Sequence, residues 1–549
     1  MRPTRLVAVT ALLALAACAT PRARLWDGMG DHHLTVDPAT PATEVSSADA
    51  LARRYFDQGV ALSYGFNHDE AVCSFREASR LDPGFAMAYW GEAYALSPNI
   101  NLPMDEDHGR QAYAAIQKAR ANAAGATELE RDLIEALARR FEDPPPADRV
   151  RLDRAYADAM RALWHKYPRN DDVGFLFADA LMNLHPWDLW TPDFEPKEDT
   201  PELVATLEAV LALNPEHPGA NHFYIHTMEA SGNPARAEPS ADRLGRLVPG
   251  IGHMVHMPSH IYVQVGRFTD SMRVNEKASD LDRGYFATVG DQGVYHFYHA
   301  HNNHFRVWSA MYQGRYEDAL YSCKRTLDEL PAHFHADPGA AEWLVMDVHV
   351  NLRFGKWEAA LALPMPRQDQ PYAVAMWHYG RGLAYANTGR IAEARAEAEA
   401  FEREFAKVPE DQTVFIVPAR DVLKVAREML AGETEYHAGN HEEAFARLRK
   451  AVEAEDALRY SEPSPWMMPT RHALGALLLE QGHVDEAEAC YRHDLRQHPG
   501  NGWSLHGLAD CLEKRGVTAE AADVRKQFDK AWANATVEIK ASCYCADHM

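Results

Sequence analysis

Apolar positions along this chain recur at helical spacing, and no segment shows the sustained alternation of apolar and polar residues that a half-buried strand requires. Residues 131–141 and 152–165 carry helical patterns of this kind, and the prolines at 144–146 separate them. Short polar turn motifs interrupt the apolar stretches over most of the remaining sequence. The pattern predicts an almost entirely helical protein.

The turn motif begins with glycine and ends, five residues later, with a small residue. Successive copies of the motif are 48, 41, 34, 50 and 43 residues apart, so several repeats must contain insertions or long helices. An equivalent turn, Asn67–Ala71, lies near the start of the pattern. The recurrent copies begin at Gly266, Gly314, Gly355, Gly389, Gly439 and Gly482.

Gly59, Ala71, Phe75, Ala78 and Pro83 resemble the signature of the tetratricopeptide repeat. In that family small residues let two antiparallel helices pack closely, and the proline ends the second helix. The resemblance covers roughly residues 50–530. It implies an all-α, right-handed TPR-like α-solenoid of antiparallel helix pairs. On this basis we divide the chain into N-terminal TPR-like repeats (49–217), central His-rich repeats (218–362), C-terminal repeats (363–535) and a Cys-containing tail (536–549).

The first residues have the features of a secretory signal. Arg2 and Arg5 precede an apolar run, Leu6–Ala17, that is too short to span a membrane. The run ends in Leu15–Cys18, which resembles the lipobox of bacterial lipoproteins and implies a lipid on Cys18. We therefore predict a signal peptide at 1–18, a flexible tether at 19–48, and a periplasmic protein anchored to the outer membrane. An ordinary cleavage site with an incidental cysteine is the alternative.

Histidines recur in register along the central repeats. His222 and His226 are four residues apart, and His256 and His260 repeat this spacing 34 residues later, which is the period of a tetratricopeptide helix pair. A further shift of 48 residues takes His253 and His256 to His301 and His304. Residues 217–304 hold ten of the 28 histidines of the chain.

The spacing of His222, His226 and Glu229 places all three on one stripe of a helix. In the tetratricopeptide family the first helix of each pair lines the concave groove, and neighbouring helices pack about 8–10 Å apart, so imidazoles of successive repeats can converge. Imidazoles with a carboxylate are typical ligands of Zn, Cu or Fe. The predicted ligands are His222, His226, His256, His260 and His304, with Glu229, His253, His301 and His349 as further candidates.

Several alternatives remain open at this stage. Glu229 is a candidate general base if the site is catalytic, and a ligand otherwise. Met228, Met254 and Met257 would favour Cu(I) as thioether ligands, although methionine is also an ordinary gap filler. A histidine-lined groove could instead bind a protein or peptide partner, as scaffolds of this fold do, or the histidines could form a hydrogen-bonded network without metal.

The sequence from Asn221 to Ser231, together with Gly252–Gly266, resembles a group of bacterial tetratricopeptide lipoproteins with His-rich central repeats and no known activity. The resemblance therefore adds an architecture and no reaction. The net charge of −24 argues against a nucleic-acid partner, because phosphate binding needs clustered Lys and Arg.

Three further features have a predicted place but no assigned chemistry. The aromatic loop His185–Trp190 is expected to pack over a helix end, or alternatively to cover a site. The tail from Cys543 to Met549 is expected to be mobile, and its cysteines could bind copper or pair with Cys323, Cys490 or Cys511. Other histidines are assigned to turns, loops or supporting positions: His217, His296, His299, His333 and His335.

Overall fold

The recurring glycines end helices in the left-handed backbone conformation. The computed structural model describes residues 45–289, 293 and 295–546. In it, eight helices are each followed by a three-residue turn whose middle residue has a positive φ. At each turn the third residue donates its N–H to a carbonyl five residues back, as Arg390 does to Tyr385 at 2.8 Å. This is the Schellman motif, which reverses the chain and pairs adjacent helices as hairpins. The middle residues are Phe66, Gly266, Gly314, Gly355, Gly389, Gly439, Gly482 and Gly516.

Two compact units make up the chain, one containing Met1–Ile261 and Lys277–Tyr295 and the other Tyr262–Glu276 and His296–Met549. The helices that begin within the first stretch are α1 (Ala50–Tyr64), α2 (His68–Leu81), α3 (Ala86–Ala95), α4 (Glu106–Asn122), α5 (Glu128–Ala138), α6 (Val150–Lys166), α7 (Asp171–Met182), α8 (Thr200–Leu213), α9 (Pro218–Met228), α10 (Glu238–Leu247), α11 (Gly252–His256) and α12 (Pro258–Gln264). Helices α12, α13 (Phe268–Val289) and α14 (Tyr295–Tyr312) contain the boundaries between the units.

The second unit continues with helix pairs and one short hairpin of strands. Its helices are α15 (Tyr316–Glu329), α16 (Met346–Arg353), α17 (Trp357–Ala362), α18 (Pro371–Asn387), α19 (Ile391–Phe405), α20 (Ala419–His437), α21 (His441–Asp456), α22 (Thr470–Glu480), α23 (Val484–Gln497), α24 (Gly502–Lys514) and α25 (Thr518–Ala531). Strands β1 (Thr413–Val414) and β2 (Val417–Pro418) pair antiparallel between α19 and α20.

Small residues allow the paired helices to approach each other closely. In the first unit, a Cβ added to Gly59 or Gly91 would lie 2.7 Å or 2.3 Å from the ring of Phe75, which is fully buried. In the second unit, Gly475 and Gly507 accommodate the ring of Tyr491 in the same way. In each unit, therefore, one large aromatic ring packs over glycines of the adjacent helices, where no side chain stands in the way.

The helical part of the sequence prediction is confirmed. The patterns at 131–141 and 152–165 correspond to α5 and α6, with ends shifted by up to three residues. The predicted signal peptide, Cys18 and most of the tether at 19–48 lie outside the described residues. Within the described part of the chain, no helix is both long enough and apolar enough to cross a membrane.

The described part of the C-terminal tail, up to residue 546, is packed rather than mobile, in contrast to the prediction. Ser542 is fully buried, and its hydroxyl donates to the carbonyl of His472 at 2.8 Å. Cys543 forms a disulfide with Cys545, whereas Cys323, Cys490 and Cys511 are free thiols. The tail was predicted to be mobile because it is short and terminal, but Ala541, Cys545 and Ala546 are part of the hydrophobic core of the second unit.

The Gly91→Ala variant should test the close crossing of α2 and α3. A methyl group at this position overlaps the ring of Phe75, so we expect the free energy of unfolding to fall by about 1–3 kcal/mol. Denaturant titration followed by circular dichroism measures this change.

The matched control is Gly284→Ala in α13, where an added Cβ has nothing within 4 Å. Because alanine favours the helix, this variant should be stabilised by about 0.4–1 kcal/mol. Equal destabilisation of both variants would contradict the packing described for Gly91.

Candidate metal centre in the first unit

Three short helices, α9, α11 and α12, carry the clustered histidines of the first unit. His217 caps α9, since its Nδ1 accepts a hydrogen bond from the backbone N–H of Ala220 at 3.0 Å, and Pro218 fixes the first helical turn. His222 and His226 follow at one-turn spacing, and Glu229 caps the C-terminus of the helix. His253 and His256 lie on α11, and His260 lies on α12.

These histidines are buried, whereas the repeat geometry of the family placed them along a concave groove without showing what covers them. His222 and His256 have no exposed surface, and at most 3% of His226, His253 and His260 is exposed. The end of α1 and the turn after it, together with the aromatic loop at 185–190, cover them. The groove geometry of the family therefore does not describe this part of the chain.

The ring of Phe66 packs directly against the buried histidines. Its ring centroid lies 4.6 Å from that of His222, 5.4 Å from His253 and 5.7 Å from His226. Phe66 occupies the turn position at which the other seven turns have glycine, and its φ is 57°. A side chain in this conformation costs about 1–3 kcal/mol, so the ring is held over the imidazoles at the expense of backbone strain.

The carboxylate of Glu229 connects two of the imidazoles. Nδ1–H of His226 donates to Oε1 at 3.0 Å, and Nδ1–H of His260 donates to Oε2. Both carboxylate oxygens are thus engaged, and both rings are fixed as the tautomer with a free electron pair on Nε2. In this arrangement Glu229 orients the imidazoles and does not face open space as a general base would.

His222 is held in the same tautomer by the backbone. Its Nδ1–H donates to the carbonyl of Tyr64 at 2.6 Å, so its Nε2 also carries an electron pair. That Nε2 lies 3.2 Å from Nε2 of His253. A second pair of Nε2 atoms, those of His256 and His260, is separated by 2.9 Å. The imidazoles therefore meet through their Nε2 atoms.

Burial favours the neutral form of three of these imidazoles. Desolvation, reinforced by neighbouring imidazoles, holds the pKa of His222 and His253 well below the ordinary value, and burial also lowers the pKa of His260. Burial alone would raise the pKa of Glu229, but the adjoining His260 and His226 lower it to about 2. An ionised carboxylate surrounded by neutral imidazoles is the donor set that transition metals prefer.

Two groups of donor atoms that lie wholly within the first unit are close enough to share one ion. One group is His222, His226 and His253, and the other is His226, Glu229 and His260; within each group the donor atoms lie within 4.8 Å of one another. Nε2 of His226 is buried and has no hydrogen-bond partner among the described residues. Because Glu229 already bonds both Nδ1 atoms in the second group, we assign the first group as the ligand set and Glu229 as its support.

The remaining predicted ligands belong to the second unit. His304 and His349 are buried there, and Nδ1 of His304 lies 4.0 Å from Oε1 of Glu342. Burial lowers the pKa of each of these imidazoles to about 3 and raises that of Glu342 to about 8. His301, which is only partly buried, stacks on Phe415 with ring centroids 6.3 Å apart.

The predicted supporting and loop residues are mostly found in those roles. His299 bonds Glu329 at 2.6 Å, and His333 is an exposed residue next to a short 3₁₀ turn. The aromatic loop packs over the end of α9, as expected, since Nε1–H of Trp190 donates to the carbonyl of Thr227 at 2.7 Å. Trp187 of this loop also contacts the edge of His226, with ring centroids 5.7 Å apart.

Sequence reasoning missed Phe66 and the carbonyl of Tyr64. Tyr64 lies 158 residues before His222, so no local spacing connects them. The turn motif did contain one signal for Phe66. This residue stands five positions before Ala71, and the later copies of the motif have glycine at the equivalent position. A bulky residue at a position that favours glycine indicates that its side chain is needed.

Comparisons with known proteins return only distant structures. No family model and no curated protein matches the chain. A dimer of human IFIT1 with PPP-AAAA is 13% identical, over 88% of this chain and 91% of that one, with a TM-score of 0.31. Yeast Tom70 is 12% identical over 88% and 91%, with a TM-score of 0.31. Cut9–Hcn1 of the APC/C is 13% identical over 90% and 76%, with a TM-score of 0.31.

The architecture is decided by the described helices themselves. Successive helix pairs, Schellman turns and small residues at the helix crossings are all present. The chain is a tetratricopeptide-like helical-repeat protein. Its first unit differs from a plain repeat array in holding a cluster of imidazoles around a buried carboxylate.

The Glu229→Gln variant should destabilise the metal-free protein. An amide offers one acceptor where the carboxylate offers two, so one imidazole N–H loses its partner and the charge-assisted bonds are lost. We expect the free energy of unfolding to fall by about 1–3 kcal/mol, measured by urea titration in the presence of a chelator.

Glu216→Gln is the matched control in the same unit. Glu216 pairs with Arg246 at 3.0 Å, but both side chains are more than half exposed, so its loss should change stability by less than about 1 kcal/mol. Similar losses in the two variants would show that the Glu229 bridge adds nothing beyond an ordinary surface pair.

Proposed function

We propose that the first unit binds a transition-metal ion through the Nε2 atoms of His222, His226 and His253. The observation that carries this proposal is the convergence of three buried donor atoms within 4.8 Å of one another. One ligand is fixed by a backbone carbonyl and one by the carboxylate of Glu229, so two of the three rings are oriented before any ion binds.

The chemistry of the donors restricts the ion. Neutral imidazoles suit Zn, Cu and Fe, and three of them leave a coordination position open for water or a small ligand. Met254 and Met257 are fully buried close by in the sequence, but the three-imidazole group needs no thioether. When bound, the ion would supply Lewis acidity or redox chemistry at that open position.

The burial of the ligands limits the functions that a bound metal ion could have. All five histidines are almost inaccessible to solvent, and Phe66 and Trp187 pack against them. A large substrate cannot reach such donors, so we favour a role in holding the metal or in reacting with a small molecule. In either role Glu229 maintains the tautomers and is not the group that attacks a substrate.

The proposal includes a location at the cell envelope. The sequence Leu15–Cys18 supports cleavage before Cys18 and attachment of lipid to its thiol, and Ala19 supports sorting to the outer membrane. The folded units would then face the periplasm, where a lipid anchor alone connects them to the membrane. Globomycin treatment of producing cells, which blocks signal cleavage in lipoproteins, should leave a larger precursor of the wild-type protein, whereas a Cys18→Ser variant should stay uncleaved with or without globomycin.

A protein-binding scaffold is the second candidate. The second unit supports it, because α18–α25 form successive helix pairs of the kind that present extended binding surfaces. A partner bound along these helices would be compatible with metal in the first unit, since the two roles use different residues.

Metal analysis of untagged protein tests the first candidate. Purified protein should hold close to one ion of Cu, Fe or Zn per chain, and His222→Ala with His226→Ala should lose it. Glu229→Gln should bind the same ion about 10–100 times more weakly, because the orientation of His226 and His260 is lost. Competition with a chromophoric chelator measures the affinity.

The matched control is His165→Ala, which removes an exposed histidine of α6 in the same unit. This variant should retain the full metal content. Metal content that is equal in all variants, or absent from wild-type protein even after reconstitution with Cu, Fe and Zn, would refute the metal site and leave the scaffold as the better account.

A further inference from the structure

The second unit contains a small cavity among the first helices of its successive pairs. Helices α16, α18, α20 and α22 each contribute to its wall, together with the segment before α22 and the C-terminal tail. Much of the lining is apolar. Five polar or amphipathic side chains stand out against it: Arg353, Tyr379, Glu433, Trp466 and His472.

Arg353 is a buried cation without a local counter-ion. It is 6% exposed, and no carboxylate oxygen of the described residues lies within 4 Å of its guanidinium. The guanidinium lies over the ring of Trp503 at 3.5 Å, and its one hydrogen bond, to the carbonyl of Ser542, is 3.5 Å long. Burial lowers its pKa to about 9, so it stays protonated at neutral pH.

The carboxylate that stabilises the Arg353 cation from a distance, that of Asp494, is already engaged elsewhere. Asp494 accepts hydrogen bonds from His472 at 2.8 Å and from His498 at 2.9 Å, and the hydroxyl of Ser504 donates to it at 2.6 Å. It lowers the energy of the Arg353 cation only at longer range. A buried guanidinium costs several kcal/mol unless an anion contacts it, so Arg353 calls for a further partner.

Other polar atoms of the cavity wall also have no partner within the described chain. The hydroxyl of Tyr379 and Nε1 of Trp466 are buried and form no hydrogen bond, and their rings lie 5.4 Å apart. Nδ1 of His472 is likewise without a partner, because only its Nε2 is bonded to Asp494. Native proteins rarely leave several buried polar atoms unsatisfied at one place.

We propose that this cavity binds the carboxylate group of a small organic acid, with Arg353 as its ionic partner and Tyr379 and Trp466 as hydrogen-bond donors. The carboxylate offers two acceptor oxygens to a wall that offers a cation and two neutral donors. The free electron pair of His472 Nδ1 would accept from a hydroxyl or amino group on the same acid. This site is independent of the metal site, since no residue is shared.

Glu433 is compatible with an anionic ligand. It is buried, and Nδ2 of Asn387 donates to its Oε2 at 3.0 Å. Burial raises its pKa to about 7, so a large share of Glu433 carries its proton at neutral pH. The neutral acid does not repel a carboxylate bound beside Arg353.

Acetate is the simplest probe of the site, and acetamide is its neutral isostere. Saturation-transfer NMR and calorimetry at constant ionic strength should show acetate binding to the wild-type protein and no binding of acetamide. The Arg353→Gln variant should bind acetate at least about tenfold more weakly, because the charge-assisted contact is lost. Tyr379→Phe should weaken it about threefold or more.

Arg395→Gln is the matched control, since Arg395 is an exposed arginine of the same unit that pairs with Glu435 at 3.1 Å. It should leave acetate affinity unchanged. Equal binding of acetate and acetamide, unchanged affinity in Arg353→Gln, or no acetate binding to wild-type protein at about 100 mM would overturn the proposal. If Arg353→Gln does not fold, Tyr379→Phe decides, because it only removes a hydroxyl, and unchanged acetate affinity in that variant refutes the site.

Discussion

The centre of the first unit depends on a charge held away from water. The carboxylate of Glu229 is 2% exposed, and it is stabilised there because two imidazole N–H groups donate to it. Those bonds decide the tautomers of His226 and His260, and the tautomers decide which nitrogen atoms face each other. A carboxylate in this position thus orients rings on two separate helices, α9 and α12, although it belongs to the end of only one of them.

The two units differ in how their buried polar groups find hydrogen-bond partners. In the histidine cluster of the first unit the acid and two imidazoles satisfy each other, and Nε2 of His226, a donor atom that suits a metal, has no partner among the described residues. In the second unit the unmatched groups are a cation and neutral donors, around a cavity. The two proposed sites would therefore have opposite chemical preferences within one repeat architecture, one for a positive ion and one for a negative group.

The turn glycines and the small residues at helix crossings could be predicted from the sequence, because each is determined by residues close to it along the chain. Each predicted turn glycine has the positive φ that a Schellman turn requires, and Gly59 receives the ring of Phe75. The 34-residue register of His222 and His256 also indicated correctly that two helices contribute to one cluster. These features depend on spacing along one or two adjacent helices.

The rest of the candidate site could not be predicted, because it depends on contacts distant in sequence. The 48-residue register of His304 gave no sign that this residue lies in a different unit, next to Glu342 and His349. Nor could helical spacing show that the end of α1 would cover α9. Burial encloses the cluster that the repeat geometry placed along a concave groove, and it lowers the pKa of His222, His253 and His260.

Repeat proteins are usually modular, since one repeat with the common turn can be exchanged for another repeat. Phe66 breaks that rule in this chain. A repeat copied from elsewhere would bring glycine to this position and would leave a void between His222, His253 and His226, whereas Phe66 copied into another turn would bring strain without a cluster to cover. The first repeat is therefore tied to its place, and we expect recombination among the repeats of this chain to be tolerated at the seven glycine turns and not at the turn that contains Phe66.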